Sequence, residues 1–130
     1  TPHLETMLEP GELILRIRVP MTPLGRASTY HKIRDRESYA FALASAAVAL
    51  RMDGDSVRDV RIAIGGLGTR PWRARAAEQA LRGRALTPET ARAAGDAALQ
   101  GAKASRDNAF RIELGARTVA DALMIASRRT

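Results

Sequence analysis

Between Tyr30 and Arg36 the chain reads Tyr-His-Lys-Ile-Arg-Asp-Arg, an aromatic, a lysine and two arginines close together. In an extended segment Tyr30, Lys32 and Arg34 fall on one face and His31 on the other. That face could present cations to an anionic or electron-rich ligand, although an exposed charged strand reads the same way. A second stretch, Gly65-Gly66-Leu67-Gly68, occupies the place of a phosphate-binding loop, after an alternating apolar run and before Thr69 and Pro71. Its spacing fails. Counted from Gly66, Gly-x-Gly-x-x-Gly requires glycine where Pro71 stands, and a Walker loop requires a Gly-Lys pair that is absent. The glycines are therefore expected to form a sheet-to-helix turn.

Other chemistries find little support. With no cysteine, disulfides, thiol catalysis and iron–sulfur ligation by this chain are excluded. His3 and His31, the only histidines, lack ligand-like partners, so no metal site is expected. No serine sits in a nucleophile elbow. Acids commonly lie beside arginines, as in Arg34-Asp35-Arg36-Glu37, and read as surface balance. No catalytic residue is expected.

The formal charge of +7 invites a nucleic-acid reading. However, the arginines are spread from Arg16 to Arg129, and Lys32 and Lys103 are the only lysines. Stacking aromatics are few: Tyr30, Tyr39, Phe41, Trp72 and Phe110. Nucleic acid is not an expected partner. No apolar run reaches the roughly 18 residues of a membrane span. Residues 1–5 lack the pattern of a signal peptide. The chain reads as soluble and cytoplasmic, and without an initiator Met it looks cut from something longer.

The elements that must position these residues follow from periodicity. The 130 residues suit a single domain, 1–130, with 1–11 as a lead-in. Glu12–Pro20 alternates, with Leu13, Leu15, Ile17 and Val19 on one face and Arg16 and Arg18 on the other, which predicts a half-buried strand. Thr29–Ile33 could be extended. Residues 41–51 are rich in alanine and favour helix by propensity. The Asp53-Gly54 hairpin signal and the alternating Val60, Ile62 and Ile64 instead predict a strand buried on both faces. Thr69 as N-cap predicts a helix over 72–81 ended by Gly83. Thr87-Pro88-Glu89 opens a second helix to about Gln100. A third runs from about Arg106 to Ser127, with Ile112, Ala116, Val119, Leu123 and Ala126 as its stripe. Strands grouped before helices predict an α+β fold, an antiparallel three- to four-stranded sheet covered on one face by three helices.

Ser28–Leu43 followed by Val60–Ala74, including Tyr30-His31-Lys32 and Ile64-Gly65-Gly66-Leu67-Gly68-Thr69-Arg70-Pro71-Trp72, resembles the flavin-carrying medium subunit of molybdenum hydroxylases. This is the xanthine dehydrogenase, aldehyde oxidoreductase and carbon monoxide dehydrogenase family. The lead-in Glu9-Pro10-Gly11-Glu12-Leu13-Ile14 resembles the opening of that subunit's C-terminal domain, and Glu78, Leu81 and Gly83 continue the likeness. The resemblance covers essentially the whole chain and is least specific after residue 86. It implies a C-terminal domain that forms one wall of an FAD site and a docking surface for partner subunits. Those partners would be a molybdenum-cofactor large subunit and an iron–sulfur small subunit, with electrons passing from the clusters to FAD and on to an acceptor.

FAD itself would be held mainly by a preceding domain, so this chain alone is expected to bind it weakly or not at all. The resemblance places Tyr30 and Lys32 against the flavin. There Lys32 would favour the anionic reduced ring and tune its potential, with Arg34 and Arg36 shaping the loop. Two alternatives are a structural or interaction module with no cofactor role, and a nucleic-acid-binding domain.

Overall fold

A computed structural model describes residues 6–130; His3 and the first five residues of the expected lead-in lie outside the described residues. A short 3₁₀ turn, Pro23–Arg26, leads into strand β1 (Ala27–Ile33). Strands β2 (Ala44–Asp53), β3 (Ser56–Gly65) and β4 (Trp72–Arg73) follow, then helices α1 (Arg75–Leu81), α2 (Pro88–Ala98) and α3 (Phe110–Ser127). The sheet is antiparallel, with strands in sequence order. The predicted α+β architecture is what the chain adopts.

Strand register explains how one sheet serves two surfaces. Gly54, at φ +56, permits the tight β2–β3 turn, which sets Ala46 opposite Ile64, Val48 opposite Ile62 and Leu50 opposite Val60. These side chains point to one face, where α3 packs against β1 and β2 and α1 against β3. Leu50, Ile62, Ile64, Leu81 and Leu123 are fully buried there. Each contributes roughly 1.5–3 kcal/mol relative to an exposed position. The intervening residues of β2 and β3 point the other way, where no helix lies.

The helices pack closely because their contacting faces are small. Ala91, Ala94, Gly95 and Ala98 line the buried side of α2. A Cβ on Gly95 would strike the carbonyl of Ala116 on α3. Leu67, from the loop after β3, lies where a side chain at Gly115 would stand. On the solvent side Glu113 of α3 receives hydrogen bonds from Arg92 of α2 and Arg117. Those two bonds pull its carboxyl down to about 2. Thr87 caps α2 as expected, accepting from Thr90 N–H at 3.2 Å while the Thr90 hydroxyl accepts from Thr87 N–H at 2.8 Å.

One carboxylate closes the outer edge of β3. Because β4 is only two residues long, the edge at Ile62 has no strand beside it. Ile62 C=O accepts from Ala74 N–H (2.9 Å), and Ile62 N–H donates to Glu78 Oε1 (2.8 Å). Arg73 grips the same carboxylate with Nε and Nη2 at 2.8 and 2.9 Å. Glu78 is 4% exposed. Burial alone would raise its pKa, but the bonds from Arg73 and Ile62 and the Arg73 charge outweigh it and hold the carboxyl below its ordinary value of 4.5.

Several expectations are corrected. The strand expected over 41–51 begins at Ala44 and is buried on one face only, with Ala47 and Arg51 exposed on the other, and the N-cap of the first helix is Ala74 rather than Thr69. Residues 12–20 join no sheet among the described residues, and Leu13, Leu15, Ile17 and Val19 are 81–91% exposed. Period two fixes which side chains share a face but does not by itself make a strand pair, and among the described residues the free edge of β1 is not taken by this segment. The helix predicted over 72–81 begins at Arg75, because Trp72 and Arg73 pair with Ile64 and Ala63 as β4. The third helix starts at Phe110 rather than near Arg106.

Replacing Glu78 with Ala leaves Ile62 N–H and Arg73 without their acceptor and is expected to cost about 3 kcal/mol. Glu78→Gln, whose amide oxygen still accepts from Ile62, is expected to cost about half that. Since the folded pKa is lowered, Glu78 stabilises the fold above its ordinary value and this contribution is lost as pH falls through the folded pKa. Urea denaturation between pH 7 and pH 3 checks both: wild type weakens on acidification more steeply than Glu78→Gln. Gly95→Ala is expected to cost about 2 kcal/mol through overpacking against Ala116, read as a lowered urea midpoint.

Candidate functional site

At one end, the face of the sheet away from the helices is built from small side chains. Across it run Tyr30, Ala47, Ala63 and Arg73 in one row and Lys32, Ser45 and Gly65 in the next. The floor of this trough is therefore alanine, serine and glycine, with Tyr30 and Lys32 at one side and Phe41 and Pro71 at the rim. A Cβ on Gly65 would lie 2.8 Å from Ser45 Oγ, so a side chain there would crowd the floor. A flat, shallow surface of this kind accepts a planar ring or another flat surface.

Charge on this face is uneven. Arg61 is held by Asp59, and Arg73 by Glu78. At Asp59 slight burial would raise the pKa, but bonds from Arg61 and Val60 N–H and the charges of Arg61 and Arg82 prevail and lower it. Lys32 is half-buried and takes part in no hydrogen bond or ion pair among the described residues. Arg51, at the far end of β2 on the same face, is exposed and likewise unpaired among the described residues, and Arg111 reaches the rim; Lys32 is the unpaired cation beside the small-residue floor. His31, on the opposite side of β1, lies 4.0 Å from Asp121 of α3, as alternation requires.

The strand brings together two of the four sequence-predicted residues. Tyr30 and Lys32 share the open face. Arg34 does not join them: β1 ends at Ile33, and Arg34 is exposed beyond it. Arg36 lies in the β1–β2 loop, where its Nη2 donates to Tyr39 C=O at 2.9 Å. That loop carries Tyr39 at φ +49 and exposes Tyr39 and Phe41 almost completely, beside Tyr30, which is 64% exposed. Sequence reasoning missed the floor residues Ser45, Ala47, Ala63 and Gly65. Their signal was present in the alternation of small with larger residues along β2, but it becomes a surface only once the hairpin register is known.

The glycine stretch behaves as a turn. Gly66 sits at φ +77, and a Cβ there would meet Ala42 Cβ and C=O at 3.0 Å, so the concavity is already filled by protein. The following helix is only seven residues long, and its N-cap Ala74 offers no side chain to a ligand. Nothing here fits a diphosphate. Among the described residues no cluster suited to a metal ion occurs, and no helix is long and apolar enough to cross a membrane.

Comparison with known proteins is consistent across sequence and structure. The sequence model described as "CO dehydrogenase flavoprotein C-terminal domain" matches residues 28–126. The aldehyde oxidoreductase FAD-binding subunit PaoB of Escherichia coli (strain K12) is 42% identical over 123 residues, 95% of this chain and 35% of that protein. The carbon monoxide dehydrogenase medium chain of Hydrogenophaga pseudoflava is 35% identical over 94 residues, 72% of this chain and 32% of that one. A solved structure of carbon monoxide dehydrogenase from Hydrogenophaga pseudoflava, lacking the Mo-pyranopterin moiety of the molybdenum cofactor, superposes with a TM-score of 0.84 at 34% identity. It covers 95% of this chain and 44% of that chain. The chain thus spans about a third of the length of the curated relatives it matches.

Tyr39→Gly tests the strain in the loop beside the trough. The left-handed conformation costs a non-glycine residue about 1–2 kcal/mol, and glycine's extra unfolded-chain entropy returns about 0.5–1. The side chain is 99% exposed, so its removal loses no packing. A net gain of about 0.5 kcal/mol is expected in the urea midpoint; a clear loss would show that Tyr39 makes contacts beyond this description.

Proposed function

We propose a function from one premise: the chain belongs to the CO dehydrogenase flavoprotein C-terminal domain family. It acts as the C-terminal domain of the FAD-containing subunit of a molybdenum hydroxylase-type oxidoreductase, where the open sheet face forms one wall of the flavin site. The observation that carries this reading is the pairing of a small-residue floor with an unpaired cation beside it, Lys32, and an exposed aromatic, Tyr30, on the same face.

FAD, when bound, supplies electron exchange between iron–sulfur centres and an acceptor. The part of this chain is to bind and to tune. Ser45, Ala47, Ala63 and Gly65 leave room for a ring, and Tyr30 offers it an apolar edge. Lys32 holds a positive charge beside it, which favours negative charge on the ring and raises its reduction potential. Arg36 fixes the neighbouring loop through Tyr39 C=O; Arg34, exposed past the end of β1, has the softer claim of shaping that loop. The diphosphate is held elsewhere in the subunit, because the glycine-rich turn after β3 is filled by Ala42. This chain alone therefore retains FAD weakly or not at all. The partners of the assembly are a molybdenum-cofactor large subunit and an iron–sulfur small subunit, in the cytoplasm. Substrate choice lies outside this chain, which offers no catalytic acid, base or nucleophile.

Lys32→Met in the full-length subunit is the test. The flavin midpoint potential is expected to become more negative by roughly 30 mV, the two-electron equivalent of about 1.4 kcal/mol, with FAD content unchanged. A potential equal to that of wild type would remove Lys32 from the flavin site.

A further inference from the structure

We infer that the open sheet face holds a second site, for a small ligand carrying a multivalent oxyanion, in the trough bordered by Arg61, Arg73 and Arg129. This trough is a concavity of about 450 Å³, one row along the strands from the floor beside Lys32. Its own floor is again alanine. Ala47 and Ala63 belong to the row that both troughs share, and Ala49 lies between Ser28 and Arg61 in the next. Arg129 enters from beyond the end of α3 and crosses to β1, where its Nη1 donates to Ser28 C=O at 2.6 Å.

Each of the three guanidiniums is fixed by the protein and keeps donors free. An arginine carries five N–H groups. Arg73 donates to Glu78 through Nε and Nη2, Arg61 to Asp59 and Val60 C=O through Nη1, and Arg129 to Ser28 C=O through Nη1. Their other guanidinium nitrogens have no partner among the described residues. Positive charge is left over as well. Asp59 is shared between Arg61 and Arg82, Glu78 serves Arg73, and the acceptor of Arg129 is a neutral carbonyl. Four guanidiniums thus meet two carboxylates, and Arg51 adds a further cation in the row beyond. Phosphates and carboxylates are the groups that planar guanidinium forks bind, often through two parallel bonds. Arginines already held by Asp59, Glu78 and Ser28 lose little freedom when such a group arrives.

An oxyanion bound here sits beside the proposed flavin wall. Tyr30, Ala47 and Ala63 border both troughs, so the middles of the two stand roughly 7 Å apart, two residues of strand. The charge of the anion opposes that of Lys32 and lowers the reduction potential that Lys32 raises. This coupling rests on the reading of the neighbouring trough as a flavin wall; the anion site itself stands on the arginines alone.

Calorimetric titration of the FAD-loaded full-length subunit with pyrophosphate at low ionic strength tests the site, with bound FAD keeping its own diphosphate site filled. Saturable binding of a single equivalent is expected, with a Kd of roughly 1 mM or tighter. Arg129→Gln and Arg61→Gln should each weaken it about tenfold. Arg117→Gln, on the solvent side of α3, should leave it unchanged. Should Arg61→Gln fail to fold, Arg129→Gln still decides, because that exposed side chain is tied only to a carbonyl. Malonate that competes with pyrophosphate marks a site open to dicarboxylates, and malonate that does not compete marks one for phosphates. No saturable binding, or equal weakening in Arg117→Gln, would overturn the inference. Binding of polyglutamate without pyrophosphate would also overturn it, by assigning the arginines to an acidic protein surface. The flavin midpoint potential of the same samples separates the two readings. Pyrophosphate should make it more negative in the wild type and not in Arg129→Gln. Saturable binding that leaves the potential unmoved sinks the flavin reading of the neighbouring trough and not the anion site.

Discussion

The carboxylate of Glu78 stands where a longer fourth strand would otherwise have to run. With it bound to Ile62 N–H and clasped by Arg73, β3 can end its pairing after two residues of β4 and let the chain turn at once into α1. The helices then stay on one face. If β4 continued, the segment that becomes α1 would be a strand, and the core under β3 would lose Ala77 and Leu81. A buried charge is costly unless its bonds are complete, and here Arg73 and Ile62 together supply three hydrogen bonds. Arg73 also lies on the open face, so one side chain joins the closure of the edge to the border of the candidate site.

Asymmetry between the faces of the sheet is the second consequence of the same arrangement. Large aliphatic residues of β2 and β3 meet the helices, while the alternate positions are alanine, serine and glycine at the Ser45–Ala49 and Ala63–Gly65 end and charged, with Arg51, Asp59 and Arg61, at the other. A solvent-facing sheet normally carries long polar side chains there. Small residues instead leave a surface with little of its own to bury and ample room for something flat. Lys32, free of carboxylate partners among the described residues, gives that surface a direction. The proposal that this face walls a flavin site draws on both the shape and the charge.

Local signals in the sequence were faithful wherever their partners were near in sequence. Asp53-Gly54 marked the hairpin, and Thr87-Pro88 marked a helix start, because each turn or cap is completed within a few residues. Propensity alone would have made residues 41–51 helical; the neighbouring hairpin decided otherwise. Trp72–Arg73 was illegible as a strand because two residues carry no period, and what holds them is Ala63 and Ile64 together with a carboxylate five residues on. Leu13–Val19 shows the opposite failure, a strand's period in a segment that joins no sheet among the described residues. Within the candidate site, alternation alone put Tyr30 and Lys32 on one face. It overextended to Arg34, because the end of β1 depends on where β2 begins to pair. The floor of the trough needed the β2–β3 register, a tertiary fact.

Lys32 and Lys103 are the only lysines in the chain, one on the open face and one exposed in the loop between α2 and α3. Their relative reactivity in the full-length subunit is the most direct test of that face as a flavin wall. Brief acetylation, read by mass spectrometry at both lysines, should modify Lys103 equally with and without FAD while FAD protects Lys32. Equal modification of Lys32 in the FAD-loaded and FAD-free subunit would contradict the account.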